Sequence, residues 1–113
     1  PLVIVHCGNN GALGVGFVDQ VMRIVGRNRR VVFVSLKVPR SWQDTDNAQL
    51  VHDVAPYPNA RIFDWHSIGT GLSPQNAYFY ADGYHLTPAG REYYATHLLK
   101  VLTIWHWVGE GGG

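Results

Sequence analysis

In the stretch Asp82-Gly83-Tyr84-His85-Leu86-Thr87-Pro88 a carboxylate stands three residues before an imidazole, in a glycine-containing loop that runs into a helix start. An unperturbed imidazole titrates at about pH 6.5, so a neighbouring carboxylate can tune it for proton transfer around neutral pH. Asp82 can accept from one ring nitrogen and leave the other for a substrate. His85 is then the candidate general base and Asp82 its orienting acid. The bland alternative is that Asp82 caps a local turn and His85 packs at the helix start, since such residues are common in turns. The nucleophile that the pair would activate is not evident. Ser35 falls inside a strand pattern, Ser41 suits a helix cap, and Ser67 and Ser73 sit in loops with no elbow around them.

A second stretch, Gly8-Asn9-Asn10-Gly11, follows an apolar run. A glycine-rich turn at the end of a buried strand can aim backbone amides and a carboxamide at a developing oxyanion. Asn10 is the candidate donor, with Gly8 and Gly11 permitting the tight path. Taken alone, the stretch is equally an ordinary Asn-Gly turn; beside the Asp82–His85 loop, the catalytic reading of both is favoured. Arg40 and His66 are candidate substrate contacts from neighbouring loops. His6 reads as a satisfied rim histidine, and His52, His97 and His106 as surface or packing residues of helices. A metal at Asp82 and His85 lacks a third ligand at recognisable spacing, so neither a metal nor another cofactor is expected.

These residues need elements to position them. Leu2–Val5 is continuously apolar, and Val31–Leu36 and Ala60–Phe63 are broken only by Ser35 and Arg61, as strands are when both faces of a parallel sheet are covered. Gly16–Val25 carries Phe17, Val18, Val21, Met22 and Val25 at helical spacing. Trp42–Val54 follows, with Ser41 as a cap and Asp44 and Asp46 in its first turn. In the last helix Thr87 caps, Pro88 takes the first position, and Tyr94, Leu98, Val101, Leu102 and Trp105 recur on one face. The alternation predicts an α/β protein with a parallel sheet. Ligands then bind beyond the carboxyl ends of the strands, where His6 to Gly11, Lys37 to Arg40 and Asp64 to His66 emerge and which the Asp82–His85 loop can reach. Three strands are few for such a sheet, so the first strand or strands are expected elsewhere. Residues 1–108 are read as the C-terminal portion of one domain, and 109–113 as a flexible glycine-rich tail.

Composition narrows the partners. A chain of 113 residues, 46% apolar and 15% charged, fits one ordered domain. A net charge of +1 is too weak to imply a nucleic-acid partner. The run Arg27-Asn28-Arg29-Arg30 reads as a solvated turn near a helix C-terminus. Cys7, the single cysteine, excludes an internal disulfide and reads as a buried thiol. The apolar run Leu98–Val108 is broken by Lys100, Thr103 and His106 and is too short to span a bilayer.

With these residues in hand, the chain resembles the SGNH (GDSL-like) hydrolase superfamily from Leu2 to about Leu99. Gly8-Asn9-Asn10-Gly11 looks like its Gly-x-Asn block, in a variant similar to the SGNH domains linked to acyltransferase-3 membrane proteins. Asp82-Gly83-Tyr84-His85 looks like its Asp-x-x-His block. Val38-Pro39-Arg40, Trp42, Asn47 and Asp64-Trp65 look like the same subgroup. The resemblance implies a flavodoxin-like three-layer sandwich, with His85 as base, Asp82 as orienting acid and Asn10 as oxyanion donor. It implies a serine esterase or O-acyltransferase acting on small acyl groups, typically acetyl, of carbohydrate or similar esters, in an extracytoplasmic or membrane-linked setting. The chain departs from the family in lacking the Gly-Asp-Ser block and the second-block glycine. An N-terminal segment or a second chain is therefore expected to supply the serine and complete the sheet. The alternative is a non-catalytic binding or assembly module whose open sheet edge pairs with a partner.

Overall fold

The computed structural model describes residues 1–108; the expected tail, 109–113, lies outside the described residues. Strands β1 (Leu2–Val5), β2 (Arg30–Val34) and β3 (Ala60–Phe63) form a parallel sheet in the order β1-β2-β3. Between and after them come helices α1 (Phe17–Val25), α2 (Gln43–Val54), α3 (Trp65–Thr70), α4 (Gln75–Tyr78) and α5 (Pro88–Ile104). This is the α/β parallel arrangement that the apolar runs predict, a flavodoxin-like sandwich with fewer strands.

The central strand explains the layering. Successive side chains of a strand point to opposite faces. Val31 and Phe33 pack with Val18 and Met22 of α1 and Leu50 and Val54 of α2. Val32 and Val34 pack with Leu98 and Leu102 of α5 and with Trp65 and Phe79. All four of these β2 side chains are buried, so a continuous apolar run is what this position requires.

Several boundaries differ from the sequence reading, each for a physical reason. The second strand stops at Val34 rather than Leu36 because side chains of α2 take over its hydrogen bonds. Asn47 accepts from Leu36 N at 2.7 Å and donates to Leu36 O at 2.9 Å, while Gln43 accepts from Val38 N at 2.9 Å. Ser35 thus lies beyond the strand. Ser41 does not cap α2; Trp42 occupies that position without a capping bond, and its indole donates to Gly8 O at 2.7 Å. Asp64, Trp65 and His66 do not form an open loop. Asp64 accepts from Ser67 N and caps α3, which takes in Trp65, His66 and Ser67. Cys7 is exposed, not buried, because the chain leaves the sheet at Val5. His106 lies past the end of α5 with φ of 59°, so it is not helical.

The arginine run is exposed, as a solvated turn should be. Arg30 nevertheless has a partner: it donates to His106 O at 3.1 Å, and Arg30 and Arg61 both lie over the Trp107 ring. These contacts hold the chain after α5 against the start of the sheet.

Candidate active site

The Asp82–His85 loop is built as a short, pinned excursion. Phe79 and Leu86 bridge antiparallel at its base, Tyr80 N donates to His85 O at 2.9 Å, and Gly83 N donates to Tyr80 O at 2.9 Å. Thr87 closes it by accepting from Gly90 N at 3.1 Å, capping α5 at the expected place with Pro88 following. From the sheet side, Lys37 reaches over the Phe79 ring, 3.8 Å from its centroid, and donates to Gly83 O at 2.7 Å. Burial draws the Lys37 ammonium below its usual range.

Within the loop, Asp82 uses both oxygens. One accepts from the amides of Tyr84 at 3.0 Å and His85 at 2.9 Å; the other pairs with His85 Nδ1 at 2.5 Å. The His85 side-chain bond, followed by the two amide bonds, draws the Asp82 carboxyl down to about 2. A carboxylate at Nδ1 favours the tautomer with hydrogen on that nitrogen and leaves Nε2 as the free acceptor. His85 remains 64% exposed at its side chain, so a reactant can approach it. This is the geometry of an oriented base.

The pair lines an open cavity of about 560 Å³. His6 and Asn9 enter it from the segment after β1, Lys37 from that after β2, and Trp65 from the start of α3. Tyr80, Tyr84 and Leu86 of the loop and Arg91 of α5 complete the lining with the pair. Residues from the segments after all three strands and from the loop leading into α5 thus converge on one cavity.

The other sequence candidates are placed differently. Gly8 has φ of +104°, and a Cβ there would stand 2.5 Å from Leu36 Cδ2, so this turn needs glycine. Gly11 meets no such restriction, having open space around it. Asn10 is exposed and outside the cavity lining, whereas its neighbour Asn9 is inside, with a buried Oδ1 that has no partner. Arg40 is also outside the lining; its guanidinium lies 5.5 Å from the Tyr84 ring centroid. His66 lines two other hollows, of about 400 Å³ each. Beside it, Asp64 accepts from Ser35 Oγ, which itself accepts from His66 N, both at 2.9 Å. Burial pushes the Asp64 carboxyl up, but bonds from Ser67 and Ser35 outweigh it and leave the group below its usual range. Ser35 is thus a tie between strand ends.

Sequence reasoning missed His6, Asn9, Lys37 and Arg91. The first three carried a usable signal, since each follows a strand on the ligand-binding edge. Arg91 carried a weaker one, lying four residues after the Thr87 cap. Among the described residues, no group of three His, Cys, Asp or Glu side chains is placed to hold a metal ion, and no helix is long and apolar enough to cross a membrane.

No protein-family model matches the chain. Individual relatives do. The peptidoglycan O-acetyltransferase OatA of Listeria monocytogenes is 33% identical over 102 residues, covering 88% of this chain and 15% of its own length. The O-acetyltransferase OatA of Staphylococcus aureus is 27% identical over 100 residues, covering 88% of this chain and 16% of its own length. The chain thus spans about a sixth of the length of these relatives. Together with the Gly8–Gly11 and Asp82–His85 blocks, this similarity supports a relation between the chain and the SGNH-like C-terminal domains of such O-acetyltransferases.

Proposed function

We propose that this chain carries the acid–base half of an O-acyl, typically O-acetyl, transfer or ester-hydrolysis site acting on acylated carbohydrate or similar small esters. The observation that carries the reading is the Asp82–His85 pair, joined at Nδ1, standing in the wall of the convergent cavity. The similarity to two O-acetyltransferases supports the acyl group, and the name of the Listeria relative supports a cell-wall carbohydrate.

The nucleophile is a serine of a Gly-Asp-Ser segment, absent from these residues and supplied by an N-terminal segment or a second chain. Its oxygen attacks the ester carbonyl carbon while its proton passes to His85 Nε2. Asp82 steadies the imidazolium that forms. Backbone amides of the turn held by Gly8 donate to the oxyanion, joined by Asn10, now outside the cavity wall, once the serine-bearing segment completes the site. On collapse the bond to the leaving oxygen breaks, and His85 returns the proton to it. A water or a sugar hydroxyl then repeats the sequence in reverse and releases the acyl group. Arg40 and His66, which lie outside the cavity, serve as outer contacts for the rest of a larger substrate.

The test is to treat the full gene product with a serine-directed fluorophosphonate and locate the adduct by mass spectrometry. The expected label falls on a serine within Gly-Asp-Ser and is lost in His85→Ala. Asp82→Asn should slow labelling on the order of 10⁴-fold, because the base then sits in the wrong tautomer. A label at Ser67 or Ser73, or none in folded protein, would sink the proposal. The second outcome would leave the assembly module, which the exposed Ile4 on the β1 edge favours.

A further inference from the structure

Leu2, Ile4 and His6 fall on the same face at the β1 end of the sheet, by the two-residue alternation of an extended chain. On that face His6 meets Tyr94 of α5. The two rings are stacked, 5.5 Å apart and 7° from parallel, and Tyr94 Oη lies 3.0 Å from His6 Nδ1. The Tyr94 ring is itself locked edge-on against Phe63 and Trp65, at 5.6 and 4.8 Å. Its hydroxyl therefore cannot swing away from His6 without disturbing the core.

This contact favours one position for the His6 proton. Among the described residues, His6 Nδ1 is the one acceptor recorded for the Tyr94 hydroxyl. With a hydrogen on Nδ1 the ring would donate to Oη and the tyrosine O–H would turn to solvent; a phenol is the stronger donor and a neutral imidazole nitrogen the stronger acceptor, so donation from Oη to Nδ1 is preferred. Burial holds the Tyr94 hydroxyl protonated, with its pKa pushed up to about 12, and lowers that of the His6 imidazole. Both partners are thus neutral at neutral pH: Tyr94 donates, Nδ1 accepts, and the ring hydrogen is on Nε2.

We infer that His6 is a substrate-contacting residue, held by Tyr94 in the tautomer that offers Nε2–H to the cavity as a donor to an oxygen of the bound ester. The two histidines of the cavity then have opposite roles. His85, with Asp82 at Nδ1, keeps Nε2 free to accept a proton; His6, with a hydroxyl donor at Nδ1, keeps a proton on Nε2 to donate. Asn9, in the same lining with an unpaired buried Oδ1, supplies an acceptor beside that donor. A donor and an acceptor together suit a hydroxylated, carbonyl-bearing ligand. The substrate role rests on the O-acyl reading above, whereas the tautomer does not.

Long-range proton–nitrogen NMR of the chain reads both. The expected spectrum has His6 in the Nε2–H form and His85 in the Nδ1–H form; Tyr94→Phe should return His6 to a mixture and raise its titration midpoint. A mono-O-acetylated hexose is the probe. It should shift the His6 and His85 signals together, and His6→Leu should weaken its binding about five- to tenfold. His6→Gln, whose amide nitrogen can stand where Nε2 stood, should restore binding to within about twofold of the parent. An Nδ1–H tautomer at His6, or a probe that moves His85 while His6→Leu binds it unchanged, overturns the inference and leaves the O-acyl reading intact. A probe that moves neither histidine overturns both.

Discussion

Asp82 is the residue on which the site turns, because one side chain both shapes the loop and orients the base. Its two amide bonds fix the backbone at Tyr84 and His85, and its third bond fixes the His85 ring. The carboxyl is drawn down to about 2 from an ordinary value of 3.8. A folded-state value below the unfolded one means that the stabilisation is fully present above the unfolded value and is lost as pH falls through the folded one. The loop should therefore hold its order above about pH 4 and loosen as the pH falls toward 2. NMR titration of the Tyr80–His85 amides tests this: they should shift together over that window while β2 amides stay in place. A carboxyl midpoint near 4 would contradict the bonded geometry. The Asp82–His85 pair was legible in the sequence because its partners lie three residues apart, and local spacing reports local contact. The His6–Tyr94 pair spans 88 residues, so no reading of spacing could have joined it.

At the scale of elements, the long helix was the most legible and the short ones the least. α5, 17 residues long, announces itself with Thr87, Pro88 and the apolar stripe from Tyr94 to Trp105. α3 and α4, of six and four residues, are too short to show a period. A signal for α3 did exist, since Asp64 precedes Ser67 by the capping interval. The end of β2 was overestimated because Leu36 is as apolar as the strand, while its hydrogen bonds go to Asn47 rather than to a neighbouring strand. α4 abuts the base of the loop, where Thr87 N donates to Tyr78 O at 3.0 Å and Thr87 Oγ1 to Ala77 O at 2.7 Å. A Cβ on Gly90, in the first turn of α5, would lie only 2.0 Å from Tyr78 O at the end of α4. Gly90→Ala must therefore push α5 away from the base of the Asp82–His85 loop. Such overpacking typically costs about 1–3 kcal/mol, read as a lowered denaturant midpoint at unchanged slope. The Asp82–His85 bond should weaken with it, so the His85 Nδ1–H signal should broaden. An alanine variant as stable as the parent, with that signal sharp, would show that the two helices do not meet this closely.

For the molecule as a whole, the revealing quantity is the contrast between two strands of similar composition. β2 reads Arg-Val-Val-Phe-Val and is buried beyond its first residue; β1 reads Leu-Val-Ile-Val and is only half covered, with Ile4 at 45% exposure. The sequence made both legible as strands with two covered faces. It gave no sign that the observed order is β1-β2-β3, since adjacency in a parallel sheet depends on where the crossover helices pack. That order leaves β1 on an edge, with backbone groups facing away from β2 and apolar side chains beside them. An apolar, uncovered edge invites pairing with another strand, and a charged residue on such an edge is a common natural guard against it. Ile4→Lys should accordingly reduce self-association of this chain, seen as a smaller weight-average mass by sedimentation at high protein concentration. Because the site is exposed, stability should change by no more than about 0.5 kcal/mol. A variant that associates as strongly as the parent would show that β1 is not the surface through which the chain seeks a partner. One that loses several times that stability would show that Ile4 is covered, and that the edge is closed by this chain itself.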